Sequence, residues 1–242
     1  MTKRCFSSSY IGGEFQSAMT SCNIRSRHGP HLIANLSRFA SVCGNNKKGP
    51  FWMIAYLLFD TPLLDAIRKE VAPAITATTI NTEYLLHSCP LLNAVWDETL
   101  RQTAFAASVR FITEDVVLPN SPVILRKGNR IMMPQRQLHF DESIFGADAR
   151  TFNPERFLKN PKLRSSGSYR PFGGGTTLCP GRHLAKVTSL AFVAALVSRF
   201  DMELEDKTQE FPAAAEEYPT ITLVDVRPGT DLRVVMKRRS LS

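Results

Sequence analysis

The sequence predicts a single, mainly helical domain with small β-sheets, and two observations predict it. Apolar residues recur at helical spacing over long stretches that carry their own start signals, while β-forming pieces are short and lie in two groups. Neither an internal repeat nor a flexible linker divides the chain, and 43% hydrophobic residues among 242 suffice for one large core.

Residues 1–30 are small, polar and basic without a sustained period and are expected to be poorly ordered. From Leu32 to Asp60 the spacing is helical, broken by "GNNKKGP" at 44–50, which reads either as a kink or as a loop between two helices. "PFWMIAYLLF" (50–59) is too short to span a bilayer and fits a buried helix; no membrane anchor or signal peptide is expected within the chain. "TPLLDAIRKEVAPAI" opens with Thr61 as N-cap and Pro62 behind it. "SCPLLNAVWDETLRQTAF" repeats the pattern, with Ser88 or Cys89 before Pro90 and Leu91, Leu92, Val95 and Leu100 on the buried side. Extended pieces follow at 108–112, 115–118 and 123–133, the last folded at "RKGN" as a hairpin. Residues 134–178 read as a long irregular segment, which is uncommon without a function. "RHLAKVTSLAFVAALVSRF" is apolar nearly all round and is predicted to be deeply buried. The C-terminal stretch reads as two strands joined at "RPGT".

The net charge of +8 favours an acidic partner. The positive residues are dispersed and not interleaved with aromatics, which argues against nucleic acid and for a basic face that docks an acidic protein. Five cysteines, odd in number and without a CxxC pair, exclude a zinc ribbon or thioredoxin-like motif and point to a reducing compartment.

"FGGGTTLCPGR" (172–182) concentrates the chemistry. No Lys follows the glycines as a phosphate loop requires, and the cysteine has neither a local base nor a resolving thiol. A thiolate ligand to iron suits it better: glycines let the backbone approach a flat macrocycle, and a helix start stabilises the negative sulfur. The stretch resembles the haem-binding signature of the cytochrome P-450 family, FxxGxxxCxG, with Phe172, Gly175, Cys179 and Gly181 in register. "ETLR" (98–101) is similar to the family's ExxR, and "FNPERF" (152–157) to its PERF segment. The resemblance runs from about residue 30 to the C-terminus.

It implies the C-terminal half of the cytochrome P-450 fold, residues 31–242, with the N-terminal half of the family missing. It implies haem b with Cys179 as axial ligand and Phe172, Gly173, Gly175 and Gly181 around the macrocycle. It also implies a Glu98–Arg101–Arg156 network beneath it, a structural His139 and an Arg110 that holds a propionate. Thr177 stands where relatives carry Arg or His, which leaves that charge to Arg110 and Arg182. Alignment on "FW" (51–52) puts Gly44 and Asn45 at the oxygen-activating pair, as in the branch of prostacyclin synthase and sterol hydroxylases, and makes Asn45 the catalytic candidate; no role is evident for Lys47 and Lys48. The implied activity is a haem-thiolate monooxygenase acting on an apolar substrate, such as a fungal secondary metabolite. Electrons would come from NADPH through a reductase docked on Lys159, Lys162, Arg164, Arg170 and Lys186. The alternatives are a haem-thiolate isomerase, suggested by Gly44–Asn45, and an inactive haem-binding fragment. Full-length relatives sit on the cytoplasmic side of the endoplasmic reticulum; this chain is expected in the cytoplasm.

Overall fold

A computed structural model describes residues 47–217 and 223–239, together with the backbone of 25–26 and 31–35. Helix α1 (Lys48–Phe59) starts inside the predicted break, with Pro50 tolerated in the first turn where no i−4 partner is needed. Helix α2 (Thr61–Val71) is capped one residue earlier than predicted: the Asp60 carboxylate accepts from the Leu63 N–H at 3.0 Å. After the short α3 (Thr82–His87) comes α4 (Pro90–Thr103), with Cys89 at its N-cap. The Glu70 carboxylate of α2 accepts from the Leu91 and Leu92 N–H groups at 2.8 Å each, so a charged side chain fills the role the N-cap leaves open. Leu92, Val95 and Leu100 are buried as expected, while Leu91 is half-buried.

Strands β3 (Ala107–Phe111), β4 (Val116–Val117), β5 (Ile124–Leu125) and β6 (Arg130–Pro134) correct the predicted hairpin. The "RKGN" turn forms, with Gly128 at φ +83° and the Asn129 N–H on the Arg126 carbonyl. Its two arms diverge: β5 pairs with β4, whereas β6 pairs with β3 over five residues. The longer register wins β6, and adjacency in sequence does not reveal it.

The segment read as irregular contains α5 (Gln135–His139), α6 (Glu142–Phe145) and α7 (Glu155–Lys159). Helix α8 (Arg182–Arg199) then crosses α1, α2 and α4 and is completely buried only from Ser189 to Val197, apart from the half-buried Phe192. Its first turns are open, with Leu184 56% exposed, so burial along the whole helix is corrected to burial of its second half. Arg68 of α2 donates to the Val197 and Phe200 carbonyls, satisfying the C-terminus of α8.

One four-stranded antiparallel sheet closes the fold in the order β1 (Arg25–Ser26), β2 (His31–Asn35), β8 (Arg233–Arg238), β7 (Phe200–Leu204). Residues 32–35, read as the start of a helix, therefore belong to strand β2. Their backbone pairs from His31 opposite Lys237 to Asn35 opposite Arg233, a non-local edge that overrides local spacing. The "RPGT" turn also forms, with Gly229 at φ +87°, but β8 pairs with β7 and β2 rather than with the segment before the turn. Among the described residues no single helix is long and apolar enough to cross a membrane; the bent pair α1–α2 has the composition, and its apolar side chains lie largely in the core.

Candidate functional site: the cysteine loop and its brace

The site begins on α4. Glu98 and Arg101 share one helix face at i and i+3, and both are wholly buried. Arg101 meets the carboxylate as a fork, Nε to Oε2 at 2.8 Å and Nη2 to Oε1 at 2.7 Å. Its Nη1 donates to the carbonyls of His139 and Ala149 at 2.6 Å each, so one guanidinium pins two separate parts of the 134–178 segment. Asn153 N–H donates to Glu98 Oε1 at 3.0 Å. Arg156 joins by charge: its Nε lies 3.6 Å from Glu98 Oε2 without a hydrogen bond, while its Nη atoms bind Asp148 and the Phe145 carbonyl. A buried ion pair is worth little by itself, but here nearly every donor has an acceptor, which makes the arrangement a specification of geometry.

His139 transmits that geometry. Its ring is fully buried, with Nδ1 3.0 Å from the Arg101 carbonyl and Nε2 accepting from the Arg170 N–H at 2.9 Å. Those partners require the neutral tautomer with the proton on Nδ1. Both nitrogens are committed, which agrees with a structural His139.

From Arg170 the loop leads to the thiol. Gly173 N–H donates to the Arg170 carbonyl at 3.0 Å, and Cys179 N–H to the Phe172 carbonyl at 3.1 Å, closing the loop on itself. Gly173 and Gly175 sit at φ +78° and +66°, a region costly for other residues. Phe172 is half-buried against the main core. Cys179 is half-buried at the entrance to α8, and a Cβ on Gly181 would lie 3.8 Å from its Sγ, so glycine there keeps one face of the sulfur clear. Arg182 folds back to donate from Nη1 to the Cys179 carbonyl at 3.1 Å. Arg110, exposed on β3, reaches across to donate to the Thr177 hydroxyl, so the threonine found where arginine was expected binds the neighbouring arginine.

Other placements differ from expectation. Gly44 and Asn45 lie outside the described residues. Lys48 acquires a role: it donates to the Leu223 carbonyl at 2.9 Å and pairs with Asp225 at 2.8 Å. Of the five basic residues assigned to docking, Arg164 turns inward to pair with Asp97, Lys186 is half-buried, and Lys159 pairs with Glu155 at 2.6 Å. Lys162 and Arg170 are exposed, as is Lys159 despite its pairing. Asp97 was not singled out in the sequence; its sole signal is an acid adjacent to Glu98.

Comparison with known proteins agrees with these elements. The Cytochrome P-450 family profile matches residues 49–224. A cytochrome P-450 monooxygenase of Penicillium decumbens is 33% identical over 208 residues, 77% of this chain and 38% of that protein. One from Hypoxylon pulicicidum is 30% identical over 180 residues, 67% of this chain and 35% of its own length. The 7-alpha-hydroxycholest-4-en-3-one 12-alpha-hydroxylase of Oryctolagus cuniculus is 30% identical over 190 residues, 70% of this chain and 38% of the relative. The chain thus spans little more than a third of the length of these relatives. On the extent of the match and the motifs within it, the chain belongs to the cytochrome P-450 family.

Proposed function

We propose that this chain supplies the thiolate face of a haem site in a monooxygenase that inserts one atom of O2 into an apolar substrate. The observation that carries the reading is Cys179: a half-buried thiol on a twice left-handed glycine loop, at the positive end of an 18-residue helix. The surroundings fit a flat apolar macrocycle. A Cβ on Gly175 would meet nothing within 4 Å, and Leu178 and Leu184 expose apolar surface on either side of the cysteine.

Haem b, when bound through a cysteinate, supplies dioxygen activation in which the thiolate favours O–O cleavage. The chain's own residues hold and orient. Cys179 gives the thiolate, Gly173 and Gly175 admit close backbone approach, and Phe172 anchors the loop to the core. Arg110 and Arg182 bring positive charge for propionates, and the Glu98–Arg101–His139 brace holds the loop from behind. Asn45 is assigned to the distal side. Electrons come from NADPH through a reductase, for which Lys162 and Arg170 offer the basic contact. The sterol-derived substrate in the name of the 12-alpha-hydroxylase, and the fungal sources of the monooxygenases, support an apolar substrate such as a sterol or a fungal secondary metabolite.

The test is reconstitution with haem followed by the reduced carbon monoxide difference spectrum. A thiolate-type Soret band that Cys179→Ala abolishes is expected. Failure to take up haem, or a band indifferent to Cys179→Ala, overturns the reading.

A further inference from the structure

Glu98 has a neighbour on α4 that the brace does not use. Asp97 is buried, 6% exposed; its carboxylate accepts from Arg164 Nε, and the Tyr169 hydroxyl donates to Asp97, with the backbone carbonyl at 3.1 Å and the carboxylate at 3.2 Å as its two acceptors. Arg164 also donates to the Phe157 carbonyl at 3.2 Å, and the Tyr169 ring lies between those of Phe157 and His139 at 5.1 and 5.7 Å. Burial raises the Asp97 carboxyl and the Tyr169 hydroxyl and lowers the Lys186 ammonium, while the nearby Arg164 and Lys186 charges favour the Asp97 carboxylate.

A buried carboxylate contributes poorly to stability, since well-packed apolar replacements often do as well. Its connections all run one way. Tyr169 is followed by Arg170, whose N–H is held by His139 and whose carbonyl accepts from Gly173; Phe172 in turn accepts from Cys179. From Asp97 to the thiol, each step is a hydrogen bond or a residue or two of backbone.

We propose that Asp97, acting through Arg164 and Tyr169, is a positioning residue for the Cys179 loop. It clamps residues 164–170 to α4 and so sets the direction in which Cys179 Sγ leaves the protein. Two adjacent acids divide the work: Glu98 with Arg101 holds the segment around 149–153, and Asp97 holds the segment that enters the loop. The inference deepens the thiolate reading above, so its test needs no haem.

The experiment is amide hydrogen exchange on the full chain, read by peptide, together with the rate at which iodoacetamide alkylates Cys179. Asp97→Ala, which removes the charge-assisted bond to Arg164, is expected to speed exchange at 171–181 about tenfold, and Tyr169→Phe, which removes one hydroxyl bond, about threefold. Cys179 alkylation should rise in step, while α1 and the Ser189–Val197 half of α8 stay unchanged. Asp97→Asn, which keeps an acceptor for the Tyr169 hydroxyl, should give a smaller rise than Asp97→Ala. Unchanged loop exchange overturns the proposal, as does acceleration spread evenly over the core, which would make Asp97 a stability residue alone. Should Asp97→Ala fail to fold, Asp97→Asn, which removes the charge that holds Arg164, and Tyr169→Phe together decide the question by the same two readouts. A chain that never takes up haem still answers this question, and the Cys179→Ala spectrum answers the other.

Discussion

Acidification between pH 7 and pH 5 is expected to destabilise the fold through the ring of His139. Burial lowers its pKa from the ordinary 6.5 to about 4; the hydrogen bond to the Arg101 carbonyl opposes it, and the Arg101 guanidinium adds a smaller push downward. The folded protein therefore keeps this ring neutral, whereas the unfolded chain protonates it near 6.5. Below that pH the unfolded state binds more protons, so the stability contributed by the neutral ring is lost as pH falls from 6.5 toward 4. From pH 7 to pH 5 the loss is about 2 kcal/mol, a sizeable part of the roughly 5–15 kcal/mol typical of a domain. Protonation would also put a proton on Nε2, where Arg170 N–H now donates. Asp97, whose folded pKa is raised by burial, contributes with the opposite sign: its stabilisation is greatest when protonated and is lost as pH rises through its folded pKa. The comparison is therefore made between wild type and His139→Gln, by urea denaturation at both pH values. The wild type should lose about 2 kcal/mol more than the variant. An equal pH dependence in the two proteins would refute the assignment of the buried neutral ring.

Arg101→Ala leaves Glu98 buried with one charge at 3.6 Å, and should cost about 3–5 kcal/mol by urea denaturation. Arg101→Lys keeps the charge but loses the fork, and should recover less than half of that. For Gly49→Ala two effects compete: helix propensity favours alanine by about 1 kcal/mol, but the new Cβ would stand 2.8 Å from Trp96 Cζ3, and overpacking costs about 1–3 kcal/mol. A lower melting temperature, relieved by adding Trp96→Phe, is the expected result. Gly175→Ala meets no atom, so its cost is conformational only, about 1–2 kcal/mol for φ +66°. Its unfolding free energy should fall by that amount, read as a lower denaturation midpoint with an unchanged m-value.

What was legible in the sequence is what chemistry writes locally. Pro90 marks the start of α4, the Glu98–Arg101 spacing fixes a shared face, and the Cys179 loop carries its glycines, thiol and helix start within one short stretch. Strand partners were not legible. Leu32 and Ile33 fit a helix as well as a strand until β8 offers an edge, and Arg130–Pro134 selects β3 over its nearer neighbour β5. Nor was the direction of long side chains. Arg164 and Lys186 look like a solvated basic face, yet Lys186 is half-buried and Arg164 turns to Asp97, 67 positions away in sequence. Conversely, Thr177 looks like a missing charge, and only the approach of β3 shows an arginine beside it.

The attachment of α1 has a consequence in time. Trp52 donates its indole N–H to the Val224 carbonyl at 3.0 Å, across 172 positions, and Lys48 reaches Leu223 and Asp225. During synthesis those acceptors do not exist until residue 225 has been added, and β2 cannot find β8 until still later. The polar anchors of α1 must therefore wait for residues 223–225, although α2, α4 and α8 can cover its apolar face earlier. Such non-local closure slows folding and lengthens exposure to aggregation and to chaperones. A ribosome stalled before residue 223 would hold an α1 with these anchors unmade, so residues 223–225 complete a helix that precedes them by more than 160 positions.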